Sequence, residues 1–235
     1  MRRSRLRIGL ALSGGGMRAI IFHLGVIKYL AEKKLLEKIE YISTVSGGSI
    51  SVAFMYTNNN MRWPTSEEYL VRVLPSIRKI LIKEDIERRL ILRSVIDILH
   101  IFDSKSKKLA KTMKLFWRID GKLGELAQSP VWDINAVTYE SGKSIFTRTK
   151  AIKRLLDISM EQVDNLNSKF YREYIEKEGT GVYIRIGRSC DRKSRNNLSE
   201  RECKWAENYP TNLRKPSEEE FDRLLQNGYK SAMKI

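Results

Sequence analysis

A serine followed by two glycines joins two runs of opposite character at Thr44-Val45-Ser46-Gly47-Gly48. The run before it, Tyr41 to Val45, is apolar and strand-like; the run after it, Ser49 to Tyr56, suits a helix. A serine on so tight a strand-to-helix turn is pushed clear of the sheet and sits at a helix N-terminus. Glycines are needed there because the turn is strained and the following helix crowds it. The arrangement is that of a nucleophile elbow, usually Gly-x-Ser-x-Gly; here Thr44 stands where the first glycine would be. On this stretch alone two readings stand. Either Ser46 is a catalytic serine with Gly47 and Gly48 shaping its elbow, or the segment is a glycine-rich turn without chemistry.

The residues upstream set the elbow in a larger unit. Leu6 to Leu12 is a short apolar run suited to a buried parallel strand. Ser13-Gly14-Gly15-Gly16 follows, and Met17 to Lys34 reads as a helix with Ile20, Leu24, Ile27 and Ala31 on one face. Strand, loop, helix, strand is a βαβ unit with an expected right-handed crossover. Both glycine loops then open at the carboxyl edge of one parallel sheet, where open α/β sheets place their sites.

Three chemistries compete for the first glycine loop. A phosphate-binding P-loop needs Gly-Lys-Ser/Thr, and Gly15-Gly16 stands in that place. Gly14-x-Gly16-x-x-Ala19 fits a dinucleotide fingerprint, but the second strand ends at Val45-Ser46-Gly47 with no carboxylate for a ribose hydroxyl. The third reading is an oxyanion hole, in which the bare N–H groups of Gly14, Gly15 and Gly16 face the negative oxygen of a tetrahedral intermediate. Arg18 either steadies this loop or caps a surface. A nucleophilic serine needs a base, and the histidines are His23 and His100. Both sit in apolar helical runs, where packed core histidines are the rule, so a Ser–His–Asp triad is poorly supported.

Composition narrows the rest. The chain has 235 residues, 42% apolar and 31% charged, with no apolar run of the roughly 18 residues a membrane span takes. The arginine-rich start resembles a signal peptide, but its apolar run breaks at Gly14-Gly15-Gly16, so export is not expected. Cys190 and Cys203 lack metal-ligand spacing and suggest a reducing compartment. The formal charge of +16 permits an anionic membrane surface or nucleic acid as partner, though a solvated basic surface accounts for it as well. Nucleic acid is the weaker option, because no recognised nucleic-acid motif supports it.

Further along, Asn58 to Thr65 is a turn-rich connector, and Ser66 to Lys83 reads as a helix interrupted near Pro75. Ile86 to Arg118 is basic and amphipathic and ends in Phe116-Trp117. It suits a cap lying on anionic lipid, or a helical insertion packed on its own domain. Lys150 to Lys177 has strong helical periodicity, Gly181 to Ile186 alternates like a half-buried strand, and Arg188 to Arg201 reads as a loop. Pro216-Ser217-Glu218-Glu219-Glu220 carries a capping box that opens a final helix, with Gly228 as its stop. With no repeat and no clear linker, residues 1–235 read as a single domain containing a helical insertion over 66–118.

Leu12-Ser13-Gly14-Gly15-Gly16-Met17-Arg18-Ala19, Phe22-His23-Leu24-Gly25-Val26 and Ser43-Thr44-Val45-Ser46-Gly47-Gly48-Ser49-Ile50 resemble the patatin-like phospholipases. The resemblance continues through Ser129 to Thr138, Glu140 to Phe146, Tyr209 to Leu213 and Asn227-Gly228-Tyr229. It implies a three-layer α/β/α fold with a mostly parallel sheet, and a lipid acyl hydrolase with a Ser–Asp dyad and no histidine. By position, Ser46 is the nucleophile, Gly14, Gly15 and Gly16 with Arg18 form the oxyanion loop, and Gly47 and Gly48 form the elbow. The implied partners are a phospholipid or other acyl-ester lipid and an anionic membrane surface. The implied setting is cytoplasmic and peripheral to membranes, with no cofactor and no metal. One family segment is missing: after Phe146 the chain passes to Thr147-Arg148-Thr149-Lys150 without the Asp-Gly-Gly or Asp-Gly-Ala that carries the dyad aspartate. Asp120-Gly121 lies upstream of the Pro130 strand and reads as a turn. The resemblance therefore implies an internal deletion that truncates the sheet. It leaves two readings, an enzyme using Asp133, Asp157 or Asp191 as base, or a non-catalytic lipid-binding relative.

Overall fold

Leu12, Ile42 and Thr44 share the buried face of a parallel sheet. β1 (Ile8–Leu12) pairs with β2 (Ile39–Val45), ending at Leu12↔Thr44, and β2 pairs with β3 (Val131–Asn135), ending at Val45↔Asn135. The strand order is β1-β2-β3. Side chains alternate across a strand, so Tyr41, Val45 and Val131 occupy the opposite face, where they are exposed. The computed structural model describes residues 6–96, 105–135, 181, 182, 184, 186 and 198–233. The chain divides into two compact units, Met1–Ala136 with Ile186–Lys234, and Val137–Arg185 with Ile235. All elements named here belong to the first.

Between β1 and β2 runs α1 (Gly16–Glu32), and β2 turns directly into α2 (Gly47–Thr57). This is the parallel βαβ unit that the two glycine loops predict. α1 is buried on more than the one face its periodicity marks: Met17, Ile20, Ile21, Leu24 and Ile27 are all fully buried. A helix apolar all round belongs inside a core. The C-terminal helix supplies its second cover.

Thr65 caps the next helical stretch, accepting from the Glu68 N–H while the Glu68 carboxylate accepts from the Thr65 N–H. α3 (Ser66–Glu68), a π segment (Tyr69–Val73) and α4 (Leu74–Lys83) then run on without a break at Pro75. The expected interruption does not occur. Proline lacks an N–H and crowds the carbonyl four residues back, and the wider π turn just before it absorbs both. α5 (Ile86–Ile96), α6 (Lys105–Thr112) and a π turn (Met113–Trp117) follow. Trp117 is fully buried, its ring 5.4 Å from that of Phe54, and Phe116 lies under the Arg89 guanidinium. Trp117 therefore anchors this segment to the protein's own core.

Several corrections concern the C-terminal part. Within the expected loop over 188–201, Ser199 accepts from the Glu202 N–H and opens α7 (Glu200–Asn208). The Arg223 guanidinium stacks on Trp205 at 3.8 Å and pairs with Glu202 at 3.2 Å. α8 (Glu218–Ala232) begins at the expected Ser217–Glu220 capping box but continues past Gly228. Gly228 is a contact glycine: a Cβ there would fall 2.0 Å from the Phe22 carbonyl oxygen, and one on Gly25 would fall 2.0 Å from that of Leu225. The two glycines let the α1 and α8 backbones touch. Gly181, Val182 and Ile184 are in no strand and Ile186 lies in a turn, so the alternation over 181–186 does not make one among the described residues. Alternation specifies faces, and a strand also needs a partner edge. Cys203 is disulfide-bonded. The helix read over 150–177, the resembling stretch Glu140 to Phe146, His100, Asp157 and Asp191 lie outside the described residues. No described helix is long and apolar enough to cross a membrane.

Candidate active site

Ser46 has φ 50 and ψ −118, a conformation that L-residues avoid. It sits between the last residue of β2 and the first turn of α2, which is the strain a nucleophile elbow imposes. Its side chain is exposed, and no described group hydrogen-bonds its hydroxyl. The glycines around it are there for space. A Cβ on Gly47 would lie 2.8 Å from the Gly16 carbonyl oxygen, and one on Gly48 would lie 2.4 Å from that of Leu12.

The first glycine loop lies against this serine. A Cβ on Gly14 would fall 2.9 Å from the Ser46 Cβ and 3.5 Å from its Oγ. Gly15 and Gly16 have φ of 138 and 59, so the chain turns sharply into α1. No described group accepts from the N–H of Gly14, Gly15 or Gly16. The small Ala19 side chain fits between the two loops, within 3.2 Å of a Cβ on Gly15 and 3.3 Å of one on Gly47.

The loop is held from both sides. The Asn212 carbonyl accepts from the Met17 N–H at 2.7 Å and packs so closely on Gly16 that a Cβ there would lie 2.4 Å from it. The same contact occupies the Met17 N–H, one of the first donors of the α1 N-terminus. On the other side, His23 is buried and its Nε2 lies 2.9 Å from the Ser13 carbonyl oxygen. Burial lowers its pKa to about 4, the Ser13 hydrogen bond only partly opposing this. His23 is thus the packed core histidine its neighbours predict, and it is not a base for Ser46. The Arg18 guanidinium donates to the Glu207 carbonyl at the end of α7.

Thr44, where the elbow pattern has glycine, is the hub of a buried polar cluster. Its Oγ1 accepts from the Trp132 indole N–H at 2.9 Å and lies 2.9 Å from the Ser49 hydroxyl. Trp132 in turn stacks on Tyr56, with ring centres 5.5 Å apart. β2, β3 and α2 are thereby tied together directly behind Ser46. Trp132 and Asn212 lie in stretches that carry the family resemblance, but their contacts, like the hub role of Thr44, had no sequence signal.

No described carboxylate reaches Ser46. Asp133 pairs with Ser43 across the ladder, and its carboxylate accepts from the Tyr41 hydroxyl, away from the serine. That hydrogen bond raises the Tyr41 pKa above the ordinary phenol value. Asp120 pairs with Lys114 at 2.6 Å. Among the described residues, no cluster of histidine, cysteine and carboxylate side chains is arranged to hold a metal ion.

A stretch of 47 residues is 43% identical to human cytosolic phospholipase A2 gamma. It covers 20% of this chain and 9% of that protein, so the two are comparable over a short segment alone. No solved structure shows a match. The description of patatin-like phospholipases matches residues 10–222, which take in both glycine loops, the end of β1, all of β2 and β3 and the start of α8. The chain belongs to the patatin-like phospholipase family.

Proposed function

We propose that the protein is a lipid acyl hydrolase with Ser46 as nucleophile. The family acts on lipid substrates, and the observation that carries the reading is the strained Ser46 lying against Gly14. In this mechanism Ser46 Oγ attacks the ester carbonyl of a glycerolipid. The carbonyl oxygen becomes an oxyanion facing the N–H groups of Gly14, Gly15 and Gly16, with Arg18 holding the loop to α7. The serine proton passes to a base and then to the departing alcohol. Water attacks the acyl-serine ester, releases the fatty acid and restores Ser46.

The setting we propose is cytoplasmic and peripheral to membranes. Leu92, Leu115 and Leu123 are exposed, and so are Arg88, Lys111, Arg118 and Lys122 along the same stretch of sequence, a composition suited to an anionic lipid surface. Co-sedimentation with phosphatidylglycerol vesicles should then exceed that with phosphatidylcholine and fall as salt rises.

A second reading is favoured by one observation: no described carboxylate approaches Ser46, and the chain lacks the Asp-Gly-Gly or Asp-Gly-Ala segment after Phe146. On that reading the protein binds lipid without turning it over. Hydrolysis of a short-chain chromogenic ester and of phosphatidylglycerol, by the protein and by Ser46→Ala, separates the two. Turnover that falls at least about 10³-fold in the variant supports the enzyme. Equal rates in two folded proteins leave the lipid-binding reading.

A further inference from the structure

We infer that His23 is a positioning residue for the oxyanion loop, aiming the Gly14 N–H toward Ser46 by holding the Ser13 carbonyl. This rests on reading Gly14 as an oxyanion donor. Ser13 is the first residue past the β1–β2 ladder, whose last pair is Leu12↔Thr44, so the ladder does not orient its carbonyl. A peptide unit is planar and trans. The Ser13 C=O and the Gly14 N–H therefore point in opposite directions, and whatever holds one aims the other. His23 Nε2 is 2.9 Å from that carbonyl oxygen.

A carbonyl can only accept, so the hydrogen lies on Nε2. Burial keeps the ring neutral at neutral pH, so this N–H is the one it has and Nδ1 is bare. His23 lies on α1 and its ring is fixed among buried neighbours, with Phe22 edge-on at 5.9 Å between ring centres. Side chains on a helix lean toward its N-terminus, which directs the ring to the loop. The opposite end of the loop is held through the Gly16–Met17 peptide by Asn212. His23 and Asn212 thus clamp the two outer peptides, and the glycine N–H groups lie between them.

The first test is the 15N spectrum of the His23 ring in the full chain. A neutral ring with hydrogen on Nε2 is expected; hydrogen on Nδ1, or a cation at neutral pH, overturns the proposal. The second compares His23→Gln, whose amide nitrogen reaches the Nε2 position, with His23→Phe, which fills the space without a donor. The Phe variant should shift the Gly14 amide resonance and lower kcat by about 10²-fold with KM little changed, the cost of losing one oxyanion donor. The Gln variant should restore both. A Gly14 resonance unmoved in the Phe variant overturns the proposal. If the wild-type protein shows no turnover while Gly14 still responds to the Phe and Gln variants, the hydrolase reading fails and the clamp stands.

Discussion

A Cβ at position 14 would stand 2.9 Å from the Cβ of Ser46, closer than Cβ atoms pack against their neighbours. The two loops of the βαβ unit are therefore fitted to each other, and the missing side chain at position 14 sets how closely Ser46 approaches the first loop. Gly14→Ala should push the serine aside. We expect a loss of about 10²-fold in kcat on a chromogenic ester, as misplacement by about 1 Å produces. Thermal unfolding should shift by only a few degrees, and a variant that keeps full activity would show that the loops do not meet.

Ser46 stores strain that glycine would release. Its φ 50 and ψ −118 correspond to the first central position of a type II′ turn, where glycine is at ease. Ser46→Gly should abolish hydrolysis and stabilise the protein by about 1 kcal/mol, while Ser46→Ala, bearing a Cβ, should not stabilise it. Urea midpoints of the two variants decide this.

His23 links stability to pH. Its folded pKa is about 4 against 6.5 for the free side chain, so the unfolded chain binds the extra proton first. Its contribution is complete above about pH 6.5 and is lost as pH falls toward 4, a total of about 3 kcal/mol. The urea midpoint of the wild-type protein should fall across this window. His23→Gln, which does not titrate, should flatten that part of the curve.

Gly228 is placed for contact between helices. A methyl group there meets the Phe22 carbonyl oxygen at 2.0 Å, and both backbones belong to long, packed helices. Gly228→Ala should destabilise by about 2–3 kcal/mol through forced separation of α1 and α8. Its effect on kcat should be small where the protein remains folded, and a neutral urea midpoint would count against the close approach.

Thr44→Val keeps shape and removes the acceptor of the Trp132 indole N–H. A buried donor left without a partner costs about 1–3 kcal/mol. Trp132→Phe alongside Thr44→Val should cost less than the two singles added, because the pair loses both halves of one bond. A double variant that is simply additive would mean that the bond contributes nothing.

The two strand-to-helix turns were legible where local chemistry and backbone strain coincide. Ser13-Gly14-Gly15-Gly16 and Ser46-Gly47-Gly48 marked two strand-to-helix turns, and the apolar runs on either side marked β1, α1, β2 and α2. The Ser217–Glu220 capping box marked the start of α8 for the same reason, since the cap is satisfied within one turn. Where a reading needed a partner from elsewhere, it failed. Gly228 looks like a helix stop until Phe22 is placed against it, Pro75 looks like a break until the π turn before it is known, and Trp117 looks like a membrane anchor until Phe54 covers it.

Sequence alone determined that this chain carries a parallel βαβ unit with a glycine loop and an elbow serine at one sheet edge. Hydrophobic period and glycine placement act over a few residues and need no distant contact. Tertiary structure decided how those loops are held: Asn212 against Gly16, His23 on the Ser13 carbonyl, and the Trp132 hydrogen bond to Thr44. Each joins groups separated in the chain through backbone carbonyls or a single hydroxyl. Every residue type offers the same carbonyl, so its role is set by where the fold brings it and not by its letter in the sequence.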